Sequence, residues 1–257
     1  MIAWHLMDPP RTAAAFAAAL PLQGLDAWRV YLELPLCGSR LPAGGAEELM
    51  RLGYQDAVLN LHEPITTRGA EEFPAALAEL RDQLGLGPGP LGLVGGSIGA
   101  AVAQLVLVEA APAAGVPVHP AVLVSPVTRL RPIVDALGRR FGVDYPWSDR
   151  TREVAHRLDF AARSDEFARA RQPAVRLVVG SDDDPEGFLA PAQQLRAALA
   201  DAYDDAGDVD LLVVPDMAHA LAEEPGDEPV PQTRPAATLD QYAVDWLAAH
   251  LPAVDIS

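Results

Sequence analysis

Short apolar runs alternate with amphipathic stretches along most of this chain. Six runs predict strands, over residues 2–7, 28–34, 91–94, 121–124, 175–179 and 209–214. Alanine-rich or helically spaced stretches predict helices over 11–20, 47–52, 71–84, 98–110, 190–200 and 237–251. The apolar positions of 56–65 fit either element. Strands that alternate with helices predict an α/β fold class, with a mostly parallel sheet of about six strands and helices on both faces.

One segment breaks this alternation. Residues 128–172 have helical but no strand character, which predicts a single domain over 1–257 with 128–172 as a small helical cap insertion. Ten of the nineteen arginines lie in this segment, against seven acidic residues, so its net charge is +3. Two interpretations remain open. The arginines are solvated surface groups, or one or two of them hold a substrate carboxylate or another anion.

Composition excludes several function classes. The net charge of −17 disfavours nucleic acid and anionic membrane surfaces as partners. The chain contains no lysine, which excludes Schiff-base chemistry and pyridoxal-phosphate anchoring. No signal peptide is evident, and the single cysteine, Cys37, cannot form an internal disulfide, so we expect a cytoplasmic protein in which this thiol is inert. No metal-ligand motif is present, and we expect neither a metal nor an organic cofactor.

The most informative motif lies between the third predicted strand and the helix after it. Gly95-x-Ser97-x-Gly99 is the pattern of a nucleophile elbow, in which a serine is held at the tip of a sharp strand-to-helix turn. Glycines remove the side chains that would collide there. The Ile98 amide would lie at a helix N-terminus, where it favours an oxyanion. Glycine-rich turns also bind phosphates, but this one lacks the Gly-x-Gly-x-x-Gly spacing and the lysine of a P-loop.

Two further reactive groups follow later strands. Three consecutive aspartates, 182–184, come directly after the fifth predicted strand, and His219 follows the last one. The carboxyl ends of parallel strands meet at one edge of a sheet, so we expect these groups to lie near Ser97. The chain has five other histidines, and none of them lies in the loop directly after the last strand.

The chain order of these motifs, with Ser97 first, then the aspartates, then His219, resembles the α/β-hydrolase superfamily. It is most similar to small bacterial esterases and to the catalytic domains of prolyl-oligopeptidase-like serine hydrolases. The resemblance covers nearly the whole chain and implies a minimal, six-stranded version of that fold. It implies Ser97 as nucleophile, His219 as base and Asp183 as the acid that orients the histidine, because the family's Gly-x-x-Asp spacing selects Asp183.

Two parts of the implied site stay open. Asp184 is the second candidate for the acid and Asp182 the third. The oxyanion hole needs another donor beside Ile98, expected from the loop after the first strand. Many relatives carry His-Gly there, which this chain lacks, and proline has no N–H, so Met7 or Asp8 remains.

The resemblance implies a serine hydrolase, a carboxylesterase that cleaves small carboxylic esters through an acyl-enzyme on Ser97. The expected partner is a small-molecule ester. A peptidase or amidase with the same triad is the alternative, and a non-catalytic binding protein on this scaffold is a third interpretation. The insertion and the closing helix are both candidate surfaces for a homodimer.

Overall fold

A parallel sheet forms the centre of the structure. The structure is a computed structural model that describes residues 1–252, without the side chains of residues 140 and 141. Its strands are β1 (Ile2–Trp4), β2 (Val30–Leu32), β3 (Leu91–Gly96), β4 (Val118–Val124), β5 (Ala174–Gly180) and β6 (Val209–Val214). They lie in the order β2-β1-β3-β4-β5-β6, and all neighbours are parallel. The predicted fold class is confirmed.

Helices cover both faces of this sheet. They are α1 (Ala13–Ala19), α2 (Gly45–Ala57), α3 (Glu63–Leu84), α4 (Ile98–Leu105), α5 (Ala111–Ala113), α6 (Leu130–Phe141), α7 (Asp149–Arg157), α8 (Ser164–Arg169), α9 (Ala190–Ala202) and α10 (Arg234–His250). Side chains of a strand alternate between faces, and β4 does so here. Val122 and Val124 pack with α1 and α10, whereas Ala121 and Leu123 pack with α3, α4 and α9. Within residues 1–252, no helix has the length and apolar character needed to cross a membrane.

The first two strands are shorter than predicted. Residues 5–7 were expected in β1, but the chain leaves the ladder after Trp4. The buried His5 ring replaces backbone pairing there, because its Nε2 accepts a hydrogen bond of 3.1 Å from the Leu34 amide. This side-chain contact frees the backbone after β1 for a loop at the carboxyl edge of the sheet.

The ambiguous stretch 56–65 is helical. Asp56 interrupts the end of α2 with extended dihedrals, and its carboxylate caps the next turn by accepting from the Leu59 amide at 2.9 Å. A wide π-helical turn, Val58–His62, then runs into α3. The apolar positions alone did not distinguish a helix from a strand. The Asp56 carboxylate, which caps the first turn after it, stabilises the helix.

The predicted insertion contains α6, α7 and α8, and ion pairs fasten it to the rest of the molecule. Arg157 and Arg163 both bind Glu109, at 2.6 and 2.9 Å, just beyond α4. The Tyr145 hydroxyl donates to Asp56 at 2.5 Å, and Arg150 pairs with Glu63. Much of the positive charge in this segment is therefore used for attachment.

Close backbone packing joins α4 to β1. A Cβ atom built on Gly99 would lie 2.4 Å from the His5 carbonyl oxygen and 2.6 Å from that of Trp4. Both neighbours are backbone atoms of a buried strand end, so they cannot move aside cheaply. Gly99 thereby allows the first turn of α4 to lie against the edge of the sheet.

We predict that Gly99→Ala lowers the free energy of unfolding by about 1–3 kcal/mol, because the methyl group overpacks this contact. Gly87→Ala is the matched control. A Cβ on Gly87 meets nothing within 4 Å, so that change should be neutral or slightly stabilising. Urea unfolding followed by circular dichroism measures both. Equal stabilities of the two variants would contradict the packing argument.

Glu109 should make stability depend on pH. Burial alone would raise the pKa of Glu109, but Arg157 and Arg163 hold it below the ordinary value of 4.5. A lowered folded-state pKa contributes stability that is present above the unfolded-state pKa and is lost as the pH falls through the folded one. We predict that Glu109→Gln lowers the free energy of unfolding by about 1–2 kcal/mol at neutral pH.

The difference between wild type and Glu109→Gln should shrink between neutral and acid pH, because the wild-type carboxyl is also protonated once the pH has fallen through its lowered pKa. Urea unfolding at both pH values measures it. Glu71→Gln, at an exposed carboxylate on α3, serves as the control and should change little at either pH. A difference that stays constant with pH would show that Glu109 acts through packing and not through its charge.

Candidate active site

Ser97 lies at the tip of a sharp turn between β3 and α4. Its dihedrals are φ 50° and ψ −116°, a strained conformation for a residue with a side chain. The surrounding backbone holds it there, because the Ser97 amide donates to the Val124 carbonyl at 2.8 Å and the Ser97 carbonyl accepts from the Val127 amide at 3.2 Å. β4 and the loop after it therefore fix the position of the serine.

Neighbouring atoms also leave little room for a side chain at the two glycines on the strand side of the turn. A Cβ on Gly95 would lie 2.4 Å from the Gly99 carbonyl oxygen, across the turn. A Cβ on Gly96 would lie 2.4 Å from the Leu6 side chain. The spacing of small residues in the sequence thus reflects how tightly the turn closes.

The structure brings Ser97, His219 and Asp183 into one chain of hydrogen bonds. His219 Nδ1 lies 3.0 Å from Asp183 Oδ2, and His219 Nε2 lies 2.9 Å from Ser97 Oγ. An ionised carboxylate only accepts, so Nδ1 of the neutral ring carries the hydrogen and donates to Asp183. Nε2 is then free to accept from the serine hydroxyl. This arrangement fits a histidine that takes a proton from Ser97.

The three consecutive aspartates have three different surroundings. Asp183 is buried and faces His219. The Asp184 carboxylate caps the next helical turn by accepting from the Glu186 and Gly187 amides, at 3.0 and 2.6 Å. Asp182 is exposed and accepts from Ser181 at 2.9 Å. Of the three, the structure places only Asp183 against the histidine.

A second close approach brings the aspartate loop and the histidine loop together. A Cβ on Gly180, the last residue of β5, would lie 1.9 Å from the Met217 carbonyl oxygen. That oxygen accepts from the Asp182 amide at 3.0 Å. The Phe188 ring packs on the His219 imidazole, with 4.2 Å between ring centroids. Sequence reasoning missed this aromatic support, which follows from no pattern in the chain.

The predicted oxyanion donors lie in two segments of the chain, the start of α4 and the loop after β1. Ile98 is the first residue of α4, and a first-turn amide has no acceptor within its helix. β1 runs beside β3 with Trp4 level with Gly95, so Met7 and Asp8 follow the strand end next to Ser97. Asp8 also contributes an unexpected side chain. Its Oδ2 lies 3.6 Å from His219 Nε2.

His5 supports the loop that carries these donors. Burial lowers the pKa of His5, which favours the neutral ring. Nε2 accepts from Leu34, so Nδ1 carries the hydrogen and donates to the Leu6 carbonyl at 2.6 Å. Sequence reasoning gave this histidine no role. The first strand was predicted over residues 2–7, so the sequence placed His5 inside that strand and gave no signal of this role.

The contacts of the insertion favour the surface interpretation of its arginines. Seven of the described ones form ion pairs: Arg129, Arg131, Arg139, Arg150, Arg152, Arg157 and Arg163. Arg169 and Arg171 line a cavity of about 250 Å³ beside the start of β4, at the sheet edge opposite Ser97. The side chain of Arg140 lies outside the described residues. A further cavity of about 190 Å³, near Phe73, is not lined by Ser97, Asp183 or His219.

Cys37 is a poor candidate for a nucleophile. The side chain is buried, and burial raises the pKa of its thiol to about 12. A thiol with so high a pKa is protonated at neutral pH, and it is the thiolate that reacts.

A scan of known protein-family models and a search of curated protein sequences find no match to this chain. Solved structures do resemble it. Carboxyl esterase 2 from the fungus Tuber melanosporum is 15% identical, with a TM-score of 0.59 over 98% of this chain and 78% of that one. A Thermus thermophilus protein is 19% identical, with a TM-score of 0.56 over 96% and 87%. A meta-cleavage product hydrolase from Pseudomonas fluorescens is 13% identical, with a TM-score of 0.55 over 96% and 90%.

Larger peptidases also match over part of their length. This chain spans 22%, 23% and 25% of peptidases from Bacteroides ovatus, Porphyromonas gingivalis and Mycobacterium tuberculosis. At these identities the likeness concerns the fold alone. Together with the six-stranded parallel sheet, it shows that the chain has the α/β-hydrolase fold.

Proposed function

We propose that this protein is a serine hydrolase that cleaves small carboxylic esters through an acyl-enzyme on Ser97. The observation that carries the proposal is the continuous hydrogen-bond chain from Ser97 Oγ through His219 to Asp183, at 2.9 and 3.0 Å. A serine hydroxyl is a poor nucleophile alone, and a neighbouring base within hydrogen-bond reach activates it. The strained backbone of Ser97 supports the same proposal, since strain concentrates at functional sites.

The reaction follows from the roles of these three side chains. Ser97 Oγ attacks the ester carbonyl while His219 Nε2 takes the hydroxyl proton. Asp183 stabilises the charged imidazole, which then gives the proton to the departing alcohol. Water, deprotonated by His219, attacks the acyl-enzyme and releases the acid and the free serine. Each step moves one proton through Nε2, the nitrogen that faces the serine.

The charge that develops on the carbonyl oxygen needs donors. The Ile98 amide, at the positive end of α4, is the first. Met7 or Asp8, in the loop after β1, supplies the second. Removing one such donor typically lowers kcat by about 10²–10³-fold.

Amide hydrolysis is the second candidate. The same three groups cleave amides, and named peptidases are among the matching structures, including one from Porphyromonas gingivalis with a TM-score of 0.50. This chain spans only 23% of that protein, so its activity does not transfer directly. Amide substrates belong beside esters in the first assays.

The first test compares wild type with Ser97→Ala on p-nitrophenyl acetate and butyrate. We predict a loss of about 10³-fold or more in kcat, because the nucleophile is gone. Ser39→Ala, at an exposed serine in the short 3₁₀ turn Gly38–Arg40, is the control and should keep wild-type activity. Mass spectrometry after treatment with a fluorophosphonate should locate the label on Ser97. Folded protein that neither turns over esters or amides nor takes the label would contradict the proposal and favour a binding role.

A second test separates the aspartates. We predict that Asp183→Asn lowers kcat by about 10³–10⁴-fold, since the amide no longer stabilises the charged imidazole. Asp182→Asn, a matched change at an exposed neighbour, should leave kcat within about threefold of wild type. Ester hydrolysis by the two purified variants measures this. Equal effects of both changes would remove Asp183 from the proposed triad.

A further inference from the structure

The Asp8 carboxylate lies at the reacting edge of the site, where the proposed mechanism gives it no task. Its Oδ2 is 3.6 Å from His219 Nε2, the nitrogen that lies 2.9 Å from Ser97 Oγ. The side chain is 57% exposed, so a molecule arriving from solvent reaches it directly. A substrate carbonyl in contact with Ser97 therefore binds with its substituents beside this carboxylate.

The charge of Asp8 has no arginine partner in the resting site. In the part of the chain that the structure describes, His219 is the only basic side chain within 4.0 Å of this carboxylate. With the ring hydrogen on Nδ1, Nε2 accepts from Ser97 and donates no hydrogen bond to Asp8. Arg11, three residues further along, pairs instead with Glu224 at 2.8 Å. An exposed carboxylate beside a nucleophile is thus available for a ligand.

The electrostatic setting selects the sign of that ligand. A carboxylate repels a substrate anion and disfavours the nearby oxyanion, whereas a cationic substituent offsets both effects. The chain carries a net charge of −17, which attracts cations from a distance. The seven paired arginines of the insertion are engaged with acidic residues of this chain. The surroundings therefore favour a positively charged substrate over a carboxylate.

We propose that Asp8 recognises a cationic group, such as a protonated α-amine, next to the scissile carbonyl, and that the preferred substrates are esters of amino acids. An α-ammonium nitrogen is two bonds from the carbonyl carbon. With that carbon at Ser97, the nitrogen is held in the region that Asp8 borders, and the two form a charge-assisted hydrogen bond. This inference rests on the proposed hydrolase function and adds its substrate class.

The test uses the benzyl esters of L-alanine and isobutyric acid. These have nearly the same shape, with an ammonium group of the first replaced by a methyl group in the second. At about pH 6.5 an α-amine is mostly protonated. The measured quantity is the ratio of kcat/KM for the two esters, in wild type, in Asp8→Asn and in Asp216→Asn. Asp216 is an exposed carboxylate in the loop after β6, so its variant makes the same charge change nearby.

We expect Asp8→Asn to lower the ratio of alanine ester to isobutyrate ester by about tenfold, the size of a hydrogen bond between charged groups. The loss should lie mainly in KM for the alanine ester. Asp216→Asn should leave the ratio unchanged. Any effect of Asp8 on the oxyanion or the imidazole changes kcat/KM of both esters equally, so it cancels in the ratio. Asp8→Glu, which keeps the charge, should retain part of the preference.

The outcomes separate this inference from the function on which it rests. Turnover of both esters with the same ratio in wild type and Asp8→Asn would overturn the role of Asp8 and leave the hydrolase intact. An equal fall of the ratio in Asp216→Asn would also overturn it, because the effect would then come from net charge. Absence of turnover for both esters, with no fluorophosphonate label on Ser97, would overturn the hydrolase and the inference together.

Discussion

The site depends on how closely backbone segments approach one another around Ser97. The turn from β3 into α4 leaves no room for a Cβ at Gly95, and the carbonyls of Trp4 and His5 leave none at Gly99. These contacts hold a serine in a conformation that an isolated peptide would avoid. The cost of that conformation is offset by the buried sheet around it, since β3 and β4 lie in the hydrophobic core. A reactive side chain on a rigid turn is the consequence.

The same principle aligns the other two members of the hydrogen-bond chain. Asp183 and His219 come from loops after neighbouring strands, and the contact of Gly180 with Met217 draws these loops together. The loop after β6 also binds the loop after β1, because the Leu221 amide donates to the Pro9 carbonyl at 2.9 Å. The loops at the carboxyl ends of β1, β3, β5 and β6 are thus packed into one unit. This packing sets the distances from His219 to Ser97 and Asp183.

Charge is distributed unevenly around this unit. Arginines of the insertion bind acidic groups on the body, as Arg157 and Arg163 do at Glu109. Acidic groups remain at the reacting edge, where Asp8 lies beside the histidine. Four arginines of the segment that the sequence presents as a candidate anion site, Arg139, Arg150, Arg157 and Arg163, therefore attach it to the body. The carboxylate of Asp8, at the carboxyl edge of the sheet, is the charged group that we propose selects the substrate.

Much of the fold is readable from the sequence, because hydrophobic periodicity and glycine spacing are local signals. Alternating strands and helices predicted the parallel sheet, and the Gly95-x-Ser97-x-Gly99 pattern predicted the turn at Ser97. The separate surroundings of the three aspartates were not readable in the same way. Family spacing favoured Asp183, but its contact with His219 and the capping role of Asp184 depend on how two distant loops pack. The positions of Asp8, Phe188 and His5 likewise depend on contacts between residues far apart in the chain.

The sequence by itself determined most of the helices and strands and the reactive groups that follow them, since those depend on neighbouring residues. Only the tertiary structure decided which of those groups touch, because contact across a sheet edge depends on the packing of the whole domain.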